Sequence, residues 1–329
     1  MLLIVSWAFR VSTDGGPGYH EPDIPAGFPE VAYPAGNEPT QARWELGKKL
    51  FFDPIMSRDL SISCSSCHAP HLAFSDSVPL SPGVDSAAGK RNAPSLTNVA
   101  YHPYFTRDGG VPTLEMHILV PIQEHNEFDT NILIIAERMA QDSSYTKMSR
   151  AAYDRVPDSF VITRALANYQ RSFISGNSPY DQYTFQGKKN ALNDLEKEGM
   201  DLFFSERARC SSCHGGFNFT DYGFENNGLY VQYADSGRIR FSELETDRDR
   251  FKVPSLRNLS YSAPYMHDGS IADLESVIEH YSEGIQPTKN LSNELEPLHF
   301  SAREKQQLLA FLMSLNDPSF VEKFSSHTY

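Results

Sequence analysis

All four cysteines of the chain lie in two copies of one run, Cys64-Ser65-Ser66-Cys67-His68 and Cys210-Ser211-Ser212-Cys213-His214. Two thiols separated by two residues and followed at once by an imidazole are the spacing of covalent c-type haem attachment. The thiols of Cys64, Cys67, Cys210 and Cys213 would be consumed in thioether bonds, and His68 and His214 would become the proximal iron ligands. A structural zinc site draws four ligands from close-spaced pairs, whereas each pair here brings its own histidine and the two runs are far apart. A thioredoxin-like pair sits in a βαβ pattern, which the sequence does not display. Two copies with no cysteine left over predict a chain that carries two c-type haems.

A second repetition bears on the open face of each haem. Pro94, Ser95, Leu96, Asn98 and Tyr101 recur 160 residues on as Pro254, Ser255, Leu256, Asn258 and Tyr261. A one-residue slip aligns Pro103-Tyr104 with Pro264-Tyr265, after which Asp108-Gly109 and Leu114-Glu115 match Asp268-Gly269 and Leu274-Glu275. In the second copy Leu274, Val277, Ile278 and Tyr281 fall on one helical face; the matching positions of the first are Leu114, His117, Ile118 and Pro121. Tyr281 can give a phenolate to iron, while Pro121, its equivalent, has no side-chain donor. Met266 is the alternative ligand, because His/Met ligation is common in cytochromes c. One iron is then six-coordinate and the other keeps the vacant position that peroxide needs. The first haem would react and the second would store or relay electrons. A proton must also move between the peroxide oxygens. Glu124 and Glu127, just past Pro121, are candidates, with His117 and His125 beside them.

These groups need elements to carry them. Gly47-Lys48-Lys49-Leu50-Phe51-Phe52 and Gly199-Met200-Asp201-Leu202-Phe203-Phe204 precede the two haem runs and read as helices that deliver the chain into each site. Apolar periodicity predicts helices over 132–141, 159–173, 193–205 and 301–315. Asn193 with Glu196 and Ser301 with Glu304 fit helix-start boxes. Alternating strand patterns are scarce. The expected fold is mainly α, with two tandem cytochrome c-like haem domains. A peroxidatic domain would occupy 41–188 and an electron-transfer domain 189–329, after an extended, Pro- and Gly-rich arm at 1–40. The short apolar start of that arm lacks a basic region and reads as the remnant of a signal peptide.

The chain has 329 residues, room for two cores. Its 40% hydrophobic and 22% charged residues suit a globular protein, and no stretch is long and apolar enough to span a bilayer. A net charge of −13 argues against nucleic acid and for a basic redox partner. Covalent c-type haem is normally assembled outside the cytoplasm, so a periplasmic location is expected.

Taken together, the motifs resemble those of the bacterial dihaem cytochrome c peroxidases and the related MauG-type dihaem enzymes. The resemblance covers roughly residues 43–315. Its carriers are Glu45-Leu46-Gly47-Lys48-Lys49-Leu50-Phe51-Phe52-Asp53-Pro54, both haem runs, Arg91-Asn92-Ala93-Pro94-Ser95-Leu96, Pro121-Ile122 with Glu127, Val253-Pro254-Ser255-Leu256-Arg257-Asn258 and Ala263-Pro264-Tyr265-Met266-His267-Asp268-Gly269. It implies reduction of hydrogen peroxide with electrons from a small cytochrome c or similar redox protein. In the MauG type it implies peroxide-dependent oxidation of a protein or organic substrate. A third reading, a pure electron carrier with two saturated haems, is opposed by Pro121. The resemblance also implies Glu127 as the distal acid/base residue, His117 in the distal pocket where the family has Gln, and a MauG-type Tyr ligand at Tyr281. It further implies a calcium ion between the haem domains, near Asn92 and the carbonyls of residues 253–255, and the family is often homodimeric.

Two departures from the family pattern stand out. Typical peroxidases bring a distal His from the loop that corresponds to residues 81–89, which here contains none. The first haem is therefore expected to stand open without reductive activation. The family's Trp between the haems corresponds to Arg107, so a relay through that indole is absent.

Overall fold

The computed structural model describes residues 23–326; the expected signal-peptide remnant lies outside the described residues. Residues 23–40 carry no helix. They cross the protein with the Phe28 ring against Tyr101 and Phe217, at 6.0 and 4.7 Å. The buried Asn37 anchors them, accepting from Tyr153 Oη at 2.9 Å and donating to Glu115 at 3.1 Å.

The protein is mainly helical. Its first half runs through α1 (Gln41–Phe52), α2 (Cys64–Cys67), α3 (Leu114–His117), α4 (Leu119–Gln123), α5 (Ile132–Gln141), α6 (Ser143–Tyr153), α7 (Ser159–Arg171) and α8 (Pro179–Thr184). The second runs through α9 (Asp194–Phe203), α10 (Cys210–Cys213), α11 (Ile239–Ser242), α12 (Leu274–Glu279), α13 (Ala302–Met313) and α14 (Pro318–Ser325). One short antiparallel pair, β1 (Phe224–Glu225) and β2 (Phe251–Lys252), lies between α10 and α12. The four helices predicted from periodicity all form, with ends within two residues of expectation. Both helix-start boxes close reciprocally. Asn193 and Glu196 exchange bonds of 2.7 and 3.0 Å, and Ser301 and Glu304 bonds of 2.8 and 3.3 Å.

The duplication in sequence is a duplication in packing. In each half the helix before the haem run crosses a later helix at a glycine. A Cβ on Gly47 would lie 2.0 Å from Ala165 O on α7, and one on Gly199 1.9 Å from Gln307 O on α13. Only glycine allows backbones this close. The two asparagines 160 residues apart also do the same work. Asn98 and Asn258 both adopt left-handed backbone, at φ 57° and 61°. Asn98 N–H donates to Phe173 O and Asn98 Oδ1 accepts from Ser175 N–H, at 2.8 and 2.9 Å. Asn258 N–H donates to Leu315 O and Asn258 Oδ1 accepts from Asp317 N–H, at 3.3 and 2.8 Å. Each asparagine thus grips the chain leaving the long helix of its own half.

Two cores result, and the chain crosses between them. The first is built around Phe51, Phe74, Tyr169 and Phe173, yet it includes Phe320 and Phe324 of the final helix α14. Phe74 and Phe173 stack with centroids 3.7 Å apart, and Phe324 meets both edge-on. The second core, around Phe203, Phe219 and Phe311, takes Tyr180 from α8. Beside it Asp181 forms a fully buried bidentate pair with Arg257, both bonds 2.8 Å. Each half therefore lends a segment to the other.

Candidate haem sites

Each attachment run closes one helical turn, His68 N–H donating to Cys64 O at 3.0 Å and His214 N–H to Cys210 O at 2.9 Å. The turn sets two thiols and the imidazole on the wall of one cavity in each half. His68 Nδ1 lies 2.9 Å from Phe74 O, and His214 Nδ1 3.2 Å from Phe219 O. A carbonyl only accepts, so Nδ1 carries the proton and Nε2 keeps its lone pair for a metal. Burial lowers both imidazole pKa values and holds the rings neutral. It also pushes the thiols up, to about 12 at Cys64 and Cys210 and about 11 at Cys67 and Cys213. The cavities measure about 300 Å³ in the first half and 240 Å³ in the second. Their walls are largely apolar, with Ile62, Leu96, Ile118 and Phe128 in one and Leu256, Ile278, Leu298 and Leu308 in the other. Paired thiols, a lone-pair imidazole and apolar walls fit a covalently attached haem in each cavity.

α3, α4 and the turn after them contribute to the wall of the first cavity. Pro121, His117, Glu124 and Glu127 all line it, whereas His125 does not. His125 is exposed and bonded to Asp129 at 2.6 Å. Glu124 is held by Lys90 at 3.3 Å. Glu127 is exposed at the cavity wall, yet neighbouring protein crowds its carboxyl. Burial, and secondly the Glu124 carboxylate, raise its pKa to about 7. His117 moves the opposite way, to about 4, through burial and then the fields of His68 and Lys252. The site thus holds a neutral imidazole beside a carboxyl poised to take or give a proton near neutrality.

The loop over residues 81–89 closes this cavity. Val84 N–H donates to Glu127 O at 3.0 Å, and Asn126 Nδ2 donates to Ala88 O at 2.9 Å. Gly83 lets the two strands of chain touch, since a Cβ there would lie 2.1 Å from Asn126 O. The loop is tied to the segment carrying Glu127.

Tyr281 and Met266 both line the second cavity together with His214. Leu274, Val277, Ile278 and Tyr281 share the wall, as expected. The helix is not continuous, however. α12 ends at Glu279, and Tyr281 sits in a π turn, His280–Gly284. Such turns add a residue to the helical circuit and occur often at functional sites. Asn227, which the sequence reading missed, donates to Met266 Sδ at 3.2 Å and also bonds Tyr281. Burial, partly offset by Asn227, raises the Tyr281 pKa to about 12.

Comparison with known proteins assigns the family. A family model described as di-haem cytochrome c peroxidase matches residues 41–190. The methylamine utilization protein MauG of Methylorubrum extorquens is 36% identical over 87% of this chain and 81% of its own length. The chain belongs to the MauG and di-haem cytochrome c peroxidase family. Cytochrome c551 peroxidase of Pseudomonas aeruginosa is 28% identical, covering 85% of this chain and 80% of its own. The crystal structure of a MauG-like protein associated with microbial copper homeostasis superposes with a TM-score of 0.87 at 32% identity, covering 92% and 97% of the two chains. As a di-haem peroxidase family member the chain is an oxidoreductase, and the family implies two c-type haems.

Two features of this di-haem peroxidase relative arise at the seam between its halves. Arg240 and Phe241 of α11 belong to the second half but line the first cavity. A sequence signal exists for this crossing. Cys210 follows Cys64 by 146 residues, but Pro254 follows Pro94 by 160, so the second copy carries extra chain where α11 lies. The other feature is Arg107, which lines both cavities. Its Nε donates to Asn92 O at 2.9 Å and its Nη2 to Asn92 Oδ1 at 2.8 Å. The Val253 carbonyl is likewise engaged, by Thr220 Oγ1 at 2.7 Å. With these oxygens already holding donors, the residues present do not fit the calcium ion expected at Asn92.

Proposed function

We propose that the protein is a periplasmic peroxidase that reduces hydrogen peroxide to water with electrons from a small, basic cytochrome c. The observation that carries this reading is the asymmetry of the two cavities: at equivalent positions Pro121 lines one and Tyr281 the other. Cys64, Cys67 and His68 would hold the peroxidatic haem in residues 41–188. Cys210, Cys213 and His214 would hold the electron-transfer haem in residues 189–329, and Tyr281 would supply a phenolate oxygen to its iron. When bound, the haems supply the redox-active iron for the two-electron reduction of peroxide. The Glu127 carboxylate accepts the proton of the inner peroxide oxygen and delivers it to the outer oxygen, which departs as water. Two electrons and two protons are consumed for each peroxide, and two waters leave. His117, uncharged at neutral pH, donates or accepts a hydrogen bond beside that oxygen without adding charge. The net charge of −13 supports a basic electron donor, because opposite fields speed encounter.

A second reading is favoured by 36% identity to MauG and by the loop at 81–89, tied down and without histidine. In it the same first haem uses peroxide to oxidise a protein or organic substrate.

Electron paramagnetic resonance of the oxidised holoprotein during peroxide titration tests both readings together. One high-spin and one low-spin haem, with rapid loss of peroxide, is the expected result. Two low-spin haems and no reaction would leave a non-catalytic electron carrier. Rapid oxidation by peroxide without turnover of reduced cytochrome c would favour the MauG-type activity.

A further inference from the structure

Other deeply placed arginines of this chain carry carboxylate partners. Arg257 meets Asp181, Arg171 meets Glu115 at 2.7 Å, and Arg91 grips both Asp108 and Asp235 at 2.5 Å. Arg107 does not: among the described residues no carboxylate comes within 4.0 Å of its guanidinium, and the more distant fields are mixed, positive from Arg91 and Lys252 and negative from Asp268 and Asp76. Its recorded bonds go instead to two neutral oxygens of a single residue, Asn92 O and Asn92 Oδ1. An enclosed charge with no carboxylate in direct contact is unfavourable unless its position has a use.

The position is the seam between the halves. Asn92 N–H donates to His267 O at 2.9 Å, and Arg107 O accepts from Lys252 N–H at 2.6 Å. Both bonds cross from the first half to the second. The guanidinium therefore clamps the very residue whose backbone reaches over the seam. Hard neutral oxygens such as these are what a calcium ion takes. A guanidinium answers them with charge of the same sign, several N–H donors in a rigid fork, and no dependence on ion supply.

We propose that Arg107 is the resident cation of this seam: its guanidinium takes the Asn92 oxygens that a divalent ion would bind, locks the two halves together without metal, and sets a fixed positive charge against both haem cavities. The last element rests on the reading of the two cavities as haem sites. A cation beside two irons favours their reduced, less positive forms, so Arg107 raises both midpoint potentials.

The holoprotein as purified is assayed for calcium by mass spectrometry, then treated with a chelator while haem resonances and thermal midpoint are followed. Far less than one calcium per chain, with no change on chelation, is expected. Arg107→Gln should shift both haem midpoint potentials downward and lower the thermal midpoint, and millimolar calcium should restore part of that midpoint in the variant alone. Arg107→Lys should keep potentials near those of the parent. One calcium per parent chain, with chelation altering the haem resonances or the thermal midpoint, would overturn the proposal, as would unshifted potentials in Arg107→Gln. Chelation of the parent needs no variant, so it decides even where Arg107→Gln does not fold. None of these readouts is peroxide turnover, so a protein inactive as a peroxidase would sink the functional reading and leave this one standing.

Discussion

Asn227 donates through Nδ2 to the Sδ of Met266 across 3.2 Å. The thioether that could compete for the second iron is therefore engaged by a neighbouring amide. The same amide also bonds Tyr281, on the π turn of the same cavity, so Asn227 touches both donors and the ligand is decided by which of them the spectrum follows. Tyr281→Phe is expected to abolish or replace the low-spin resonance while leaving the high-spin signal in place. Met266→Leu should leave both signals as they are. An unchanged low-spin spectrum in Tyr281→Phe would remove Tyr281 as ligand.

Glu127→Gln keeps the shape of the side chain and removes its base. Peroxide turnover should fall roughly 100- to 10,000-fold, the usual worth of a positioned acid/base group, with both haem spectra intact. Normal turnover in this variant would clear Glu127 of the role.

The pH profile follows from the same group. With a pKa of about 7, Glu127 is increasingly protonated below neutrality, so turnover limited by proton uptake should decline as pH falls through about 7. Stability runs the other way. A carboxyl whose pKa is raised by folding contributes in full below its unfolded value of 4.5, and that contribution is lost as pH rises through about 7. Thermal midpoints of parent and Glu127→Gln measured across this range should therefore converge at low pH and diverge above neutrality, with the variant the more stable there.

Gly199→Ala tests the helix crossing of the second half. Its Cβ would meet Gln307 O at 1.9 Å, so α9 and α13 must separate. Overpacking of this kind costs about 1–3 kcal/mol, and calorimetry should record a fall of several degrees in the thermal midpoint. Gly47→Ala should do the same to the first half, where the contact is Ala165 O.

Asp181→Ala should be more damaging. It leaves the Arg257 guanidinium, fully buried, without its bidentate partner. Breaking such a pair costs about 3–5 kcal/mol. Because Asp181 lies on the first-half side of the chain and Arg257 in the second, the loss should loosen the second core and broaden the low-spin resonance. An unchanged denaturation midpoint would show that the pair contributes no net stability.

Much of this molecule was legible before any coordinates. The attachment runs are local: a thiol, a thiol and an imidazole within one helical turn must share a face, whatever surrounds them. The duplication was legible too, because Pro94 and Pro254, Asn98 and Asn258, or Gly47 and Gly199 repeat residue types whose backbone demands are special. The cap boxes at Asn193 and Ser301 and the asymmetry of Pro121 and Tyr281 followed from spacing alone. What sequence could not reveal is what lies opposite. The exchange of α8 and α14 between cores, the reach of Phe241 into the first cavity and the amide of Asn227 between Met266 and Tyr281 join residues tens to hundreds of positions apart. So does the seam, where Asn92 and Arg107 of one half meet His267 and Lys252 of the other. Periodicity and spacing act over a few turns of chain, while these contacts depend on how two finished halves dock. Sequence determined the two attachment runs and the contrast of Pro121 with Tyr281; tertiary packing alone decided which charges stand between the two cavities.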